Sequence, residues 1–406
     1  MNLEEQLRRE FIDHREFWNY YGQDLESPFE SIESAKQFIN NYFNSGSKEY
    51  AVYEWQGFEG EEMSFRNGHS ANVFFIGAML QRMIDPDLLI ESRLEGRSYP
   101  FSYLWYLTCL AHDFGYMYEN EKNESQIEEI KEKYKGLCFS VRENRRYPRL
   151  FFYKKAHMNI KRLVPNIPLR ECGCYYRGYS MATIQHIHKR ECNHSCRGTL
   201  KYSNGTIIKR PWYNYSIRDN YFKYRLMTMD TLDHGIVGAD QLFSGLIDNY
   251  RKEFNENLRD GCYENFHNNQ NRYFCCEQFK VFAYIANCIA AHNVFMSPNK
   301  EESKQLYSEY GLECLWPENF RKIDYQEDPL LFVLCVADTL EPSKRFREMN
   351  SVNILKMIGI SYDKESNTVC IEIETKLTHS EEGTKYIKDI RSLEQWCEIN
   401  TKVIFI

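Results

Sequence analysis

A histidine followed directly by an aspartate, His112-Asp113 in the string Leu-Ala-His-Asp-Phe-Gly-Tyr, closes an apolar run that begins near Tyr103. If that run enters a core as a helix, its end takes an imidazole and a carboxylate out of water together. Such a pair is costly to desolvate, and metal coordination is the commonest way to offset the cost. Four further residues of ligand type, His69, His234, His292 and Asp338, stand at the edges of other apolar helical runs. Six such groups suffice for two metal ions, provided the runs that carry them converge.

The 406-residue chain is 43% hydrophobic and 27% charged, the balance of a soluble globular protein with its own core. No window approaches the roughly 18 consecutive apolar residues of a membrane span. The start, MNLEEQLRREFIDHREFW, is charged and amphipathic and lacks the apolar region of a signal peptide, so a cytoplasmic protein is expected. Of the fourteen cysteines, Cys109, Cys288 and Cys335 lie inside apolar helical runs, where a free thiol behaves as a small hydrophobe, so reduced thiols are expected. A formal net charge of −7 exerts no broad pull on nucleic acid or anionic lipid. An anionic substrate must therefore be held by metals and a few cations.

Residues 1–65 read as two or three helices capping the main domain, the clearest from Ser31 to Phe43. The run from His69 to Ile84 carries Val73, Phe74, Gly77, Leu80 and Ile84 at three- and four-residue steps, so His69 shares the inward face. With the helix from Ser102 and its exit at Tyr118, it forms the first part of the main domain, 66–121. Residues 122–225 are basic, aromatic and cysteine-bearing, with a hairpin expected around Asn204-Gly205, and read as an insertion. Helical spacing returns in 226–350, at Thr231–Phe243, Phe279–His292 and Pro329–Phe346. The tail, 351–406, has a strand-like Thr368–Thr375 and reads as a small β/α element.

The order His69, His112-Asp113, Asp338 resembles the H…HD…D pattern of the HD-domain metal-dependent phosphohydrolases, an all-helical superfamily, over residues 69 to 346 without the insertion. The strings around His234 and His292 look like the extra histidines of the bimetallic branch. Ala337-Asp338-Thr-Leu-Glu341-Pro342-Ser-Lys-Arg345 is similar to the ADxxEPxR segment of the HD-type dinucleoside tetraphosphate hydrolases. The resemblance implies a mainly α fold, an HD-domain helical bundle with an inserted cysteine-bearing α+β subdomain and a small C-terminal β element. It makes His69, His112, Asp113 and Asp338 ligands of one divalent metal (Mn, Fe, Zn, Co or Mg). Asp113 then bridges to a second ion held by His234 and His292, and water is the attacking group.

Arg345, seven residues after Asp338, would lie two turns on along one helix, about 10 Å away, and is expected to meet a further phosphate. Lys344 reads equally well as a solvated helix end. Glu119 is a candidate general acid or base, with an exposed carboxylate as the plainer alternative. Tyr116 stands where cyclic-dinucleotide phosphodiesterases of the superfamily carry the lysine of HDxGK, which counts against that substrate. In the insertion, Cys172, Cys174, Cys192 and Cys196 offer four thiols for a structural zinc, against incidental free cysteines. His186 and His188 read as surface residues.

The expected function is a phosphohydrolase acting on a small nucleotide-type substrate through a metal-activated water. A metal- or nucleotide-sensing module with little turnover is the alternative, as are a cyclic-dinucleotide phosphodiesterase and a nuclease that stacks bases on the basic aromatic insertion. Oligomeric state is not legible.

Overall fold

Long apolar runs become helices buried on every side in the computed structural model, which describes residues 1–44, 61–92, 98–116, 200–203, 215–239, 276–294, 301–346 and 351–406, with positions 128, 242, 243, 246 and 349 between them. The described residues are mainly helical, with two small sheets. Helices α1 (Leu3–Asp13), α2 (Arg15–Trp18) and α3 (Ile32–Asn44) lead into α4 (Glu61–Ile84). Every residue from 69 to 80 of α4 is buried, and so is all of α5 (Phe101–Ala111). Helices apolar all round belong in the middle of a core. Around them come α6 (Tyr215–Met229), α7 (Cys276–Ala291), α8 (Glu301–Glu309) and α9 (Pro329–Leu340).

The N-terminal helices pack into this core. Trp18 lies edge-on to Phe75 of α4 at 5.3 Å, and Tyr42 of α3 to Phe74 at 5.6 Å. Aromatic pairs at such separations contribute about 0.5–1.5 kcal/mol each beyond the area they bury. The expected boundary at residue 65 falls inside α4 and that at 225 inside α6, so continuous helix crosses both. Helices α4 and α5 cross closely at Gly77, where a Cβ would lie 2.0 Å from the Trp105 ring, and the Trp105 indole donates to the Phe74 carbonyl at 2.9 Å.

The first sheet has β1 (Leu89–Ser92) in the centre, antiparallel to both β2 (Ser98–Pro100) and β3 (Leu200–Tyr202). Strand β3 is the described piece of the expected hairpin; the turn at Asn204-Gly205 lies outside the described residues. This end of the insertion is tied into the body. The buried Tyr202 hydroxyl bonds that of Tyr284 on α7, which donates at 2.7 Å to Oδ1 of Asp328, the N-cap of α9.

Beyond α9, α10 (Ser351–Lys356) leads into β4 (Ile358–Asp363), β5 (Thr368–Ile373), α11 (Glu381–Trp396) and β6 (Asn400–Phe405). Strands β4 and β5 pair antiparallel through a turn with Asn367 at φ +49°, whereas β5 and β6 run parallel with α11 as the crossover. Alternating burial along β5 matches the expected strand at 368–375. The element is fastened to the helical body by the Tyr386 hydroxyl, which donates to the Leu340 carbonyl at 2.6 Å.

One expected helix is shorter than its apolar spacing predicts. Helix α9 starts as expected, with Asp328 as N-cap and Pro329 in the first turn, but ends at Leu340 instead of continuing to Phe346. Pro342 disfavours α conformation in the residue before it, and Glu341 takes ψ 116°. No helix among the described residues is long and apolar enough to cross a membrane.

Candidate metal centre

Four helix ends and the interior of α4 bring the six residues together. His69 lies on α4, His112 caps the C-terminus of α5, and Asp113 follows in the turn. His234 opens a helical segment at 234–239, His292 follows α7, and Asp338 is in the last turn of α9. Nε2 of His69 is 3.2 Å from Asp338 Oδ1 and 3.4 Å from Asp113 Oδ2. Nε2 of His112 is 3.3 Å from Asp113 Oδ1 and 3.6 Å from Asp338 Oδ1. Nε2 of His234 is 3.8 Å from Asp113 Oδ1. Ligand atoms of His69, His112 and Asp338 lie within 4.8 Å of one another, and so do those of His112, Asp113 and His292. The two oxygens of Asp113 thus face different histidines.

The ring orientations are set by local bonds. Nδ1 of His112 contacts the Cys109 carbonyl at 2.5 Å, and Nδ1 of His292 contacts the Ile289 carbonyl at 2.6 Å. A carbonyl only accepts, so each Nδ1 donates and leaves an Nε2 lone pair for the centre. For His69 the partner of Nδ1 is Glu341 Oε2, at 2.6 Å. Nε2 of His69 and Nε2 of His112 are buried without a hydrogen-bond partner. Buried acceptors facing carboxylate oxygens at 3.2 to 3.6 Å repel one another unless a cation lies between them. Imidazole and carboxylate donors without thiolate suit Mn, Fe, Zn, Co or Mg, and the residues therefore fit a divalent metal centre.

Close approach of backbones builds the His234 side. At Gly115 a Cβ would stand 1.9 Å from the His234 carbonyl oxygen and 2.7 Å from the Gly238 nitrogen. Only a residue without Cβ lets the turn after Asp113 lie against 234–238. The ring of Tyr116 then stacks on that of His234 at 3.7 Å.

The charge pattern is anionic at its heart. Burial opposes ionisation of Asp113, yet His112, His69 and His234 around it hold its carboxyl well below the usual range. Asp338 is likewise held low against burial by Lys344, His112 and His69. Burial disfavours a charged His69, but Glu341, Asp338 and Asp113 outweigh it and raise the ring to about 9. His292 is pushed down to about 3 by burial and by the neighbouring His234 and His112, and so is held neutral, the form that binds metal.

Two residues given no role on the centre by spacing alone belong to it. Glu341 is fully buried and also accepts from Asn72 Nδ2 at 2.9 Å and from the Ser343 amide at 3.1 Å. Its legible signal was a carboxylate three residues after Asp338 and directly before a proline. Lys344, read as a solvated helix end, puts Nζ 2.8 Å from Asp338 Oδ1. Helix α9 ends at Leu340, so Arg345 does not share a helix face with Asp338 as its spacing predicts, and its Nη2 pairs with Asp389 Oδ2 at 2.5 Å. Glu119, His186, His188 and Cys172, Cys174, Cys192 and Cys196 lie outside the described residues. The cysteines at 109, 288 and 335 are buried and free.

Glu341→Gln keeps an acceptor for His69 but removes the charge that polarises the ring. It is expected to weaken metal affinity about 10- to 100-fold, as measured by competition with a chromophoric chelator. Unchanged affinity would mean that Glu341 serves the backbone of 342–346 alone. Comparison of the chain with protein-family models, with curated proteins and with solved structures found no match, so the reading of this centre rests on its own residues and geometry.

Proposed function

We propose that this chain is a metal-dependent phosphohydrolase of the HD-domain type, cleaving a phosphoester or phosphoanhydride bond of a nucleotide-type substrate. The observation that carries the reading is the pair of unpartnered Nε2 atoms on His69 and His112, turned with Asp113 and Asp338 into one buried space. Divalent ions held there supply water ionised near neutrality and neutralise charge on phosphoryl oxygens. The protein's own groups do the positioning. Asp113 offers Oδ2 toward His69 and Oδ1 toward His112 and His234, so it is the carboxylate suited to serve two ions. Glu341 holds the tautomer of His69, and the Lys344 ammonium beside Asp338 can pair with an arriving phosphoryl oxygen. Burial pushes the Cys109, Cys288 and Cys335 thiols well above the ordinary range, which disfavours thiol catalysis by these three among the described residues.

The Lys344 contact also favours one competing reading, a metal- or nucleotide-sensing module with little turnover, since an ammonium already neutralises a ligand carboxylate. Metal content before and after chelation, with release assays over nucleotides, cyclic dinucleotides and single-stranded nucleic acid, separates the two. About two divalent ions per chain are expected, with turnover lost on chelation and restored by metal. Bound metal without turnover of any substrate selects the sensing module, and a chain that binds no divalent metal sinks the phosphohydrolase and a metal sensor alike.

A further inference from the structure

Two of the ligand histidines stand in matching dipeptides, Asp233-His234 at the start of the helical segment 234–239 and His292-Asn293 just after α7. The neighbours of these histidines meet. Asn293 Nδ2 donates to Asp233 Oδ2 at 2.9 Å across 60 positions of sequence, and it lies 3.4 Å from Nδ1 and 3.3 Å from Nε2 of His234. We infer that Asp233 and Asn293 are positioning residues, a cross-tie that holds His234 and His292 in register to ligate the second metal ion. The inference rests on the reading of this centre as a two-metal phosphohydrolase site and assigns the residues that build its second half.

A carboxylate only accepts, so the amide nitrogen of Asn293 is the end that faces Asp233. An atom in the plane of an imidazole and equally close to both nitrogens would collide with the Cε1–H between them. Nδ2 therefore lies over a face of the His234 ring. Tyr116 stacks on that ring at 3.7 Å and 14°, and two groups at such distances cannot share one face, so Tyr116 and the Asn293 amide clasp it from opposite sides. An N–H over a ring face makes only a weak bond and leaves the in-plane lone pair uncommitted. The grip orients His234 without consuming its donor, and Nε2 lies 3.8 Å from Asp113 Oδ1.

The tie is anchored at both ends. Asp233 is fully buried, and its Oδ1 accepts from the Ile236 amide at 2.8 Å, which caps the segment at 234–239. Gly235 makes room for the approach, since a Cβ there would stand 2.8 Å from Asn293 Oδ1 and 3.1 Å from His292 Cε1. The His234 and His292 rings are thereby held with centroids 5.3 Å apart. Asn293 Oδ1 is buried with no hydrogen-bond partner. Burying an unpaired carbonyl costs stability, so an apolar residue would pack better at this position. The contacts of Nδ2 are what an apolar residue could not supply.

Cobalt(II) titration of the full-length protein, first stripped by a chelator, reads the ions by calorimetry and by visible absorption, and wild type is expected to bind about two. Asn293→Ala removes the tie and the grip on the ring. Asp233→Ser keeps an N-cap hydroxyl for the Ile236 amide but falls short of Asn293. Each is expected to weaken the second ion about 10- to 100-fold and to change the visible bands of that ion, with the first bound within about twofold of its wild-type affinity. Because the pair acts as a unit, the double variant should bind no more weakly than the worse single variant. A purely structural pair would lower the urea stability of the metal-free protein and leave both cobalt affinities and the spectrum as in wild type, which overturns the inference. Additive losses in the double variant overturn it too. If Asp233→Ser does not fold, Asn293→Ala, a truncation at a partly buried position, decides alone. A wild-type chain that binds fewer than two ions overturns the two-metal reading and the inference with it, whereas wild-type binding of two ions by both variants overturns the inference alone.

Discussion

Asp113→Ala is expected to strip the protein of most of its bound metal and to lower kcat by about a thousandfold or more. The size follows from position. One carboxylate places an oxygen 3.4 Å from His69 Nε2 and another 3.3 Å from His112 Nε2 and 3.8 Å from His234 Nε2, so its loss takes a donor from both sides of the centre. Removing a histidine from one side, as in His234→Ala, should leave more metal bound than Asp113→Ala does. Asp113→Asn keeps the shape and one neutral oxygen donor, and its metal content should fall between those of wild type and the alanine variant. Elemental analysis of the three proteins, with turnover of the best substrate and a circular dichroism spectrum for each, checks the order. Wild-type metal content and unchanged turnover in Asp113→Ala would refute the assignment.

Gly115→Ala should destabilise the fold by about 3 kcal/mol or more and disable the His234 side of the centre at the same time. A Cβ there would be 1.9 Å from the His234 carbonyl oxygen, a backbone atom that cannot swing aside as a side-chain tip can. The turn after α5 must then move away from 234–238, carrying Tyr116 off the His234 ring on which it stacks. Urea denaturation gives the loss of stability, and metal titration of protein that still folds should find the affinity reduced. Gly68→Ala, inside α4 where an added Cβ meets nothing within 4 Å, is the control, expected to match wild type in metal affinity and to be up to about 1 kcal/mol more stable through helix propensity. Equal stabilities for the two variants would mean that the segments are not in such close contact.

Arg345 and Lys344 show how far spacing carries. Seven residues from Asp338 would put Arg345 on the same helix face only if the helix continued, and Pro342 stops it by restricting Glu341. Once the chain leaves the helix, contact depends on the path of 341–346, which the buried Glu341 carboxylate secures through the Ser343 and Lys344 amides. It is Lys344 that meets Asp338. The proline was legible, but the direction of the chain beyond it was not.

Local pattern was sufficient for other features. The apolar steps of 69–84, the buried run ending at His112-Asp113, the short strand at 368–373 and the thiols inside helices all express residue type and periodicity, which act over a few residues. Those steps also mark His69, His112, His234, His292 and Asp338 as polar groups at the ends of apolar runs. Partner choice acts over hundreds of residues and follows from packing. His69 finds Glu341 272 positions away, β3 joins β1 across more than a hundred residues, and the N-terminal aromatics enter the same core as α4. A periodic pattern states which face of an element avoids water. The side chains that meet there are selected by the crossing of whole helices and by how closely their backbones can approach, as at Gly77 and Gly115.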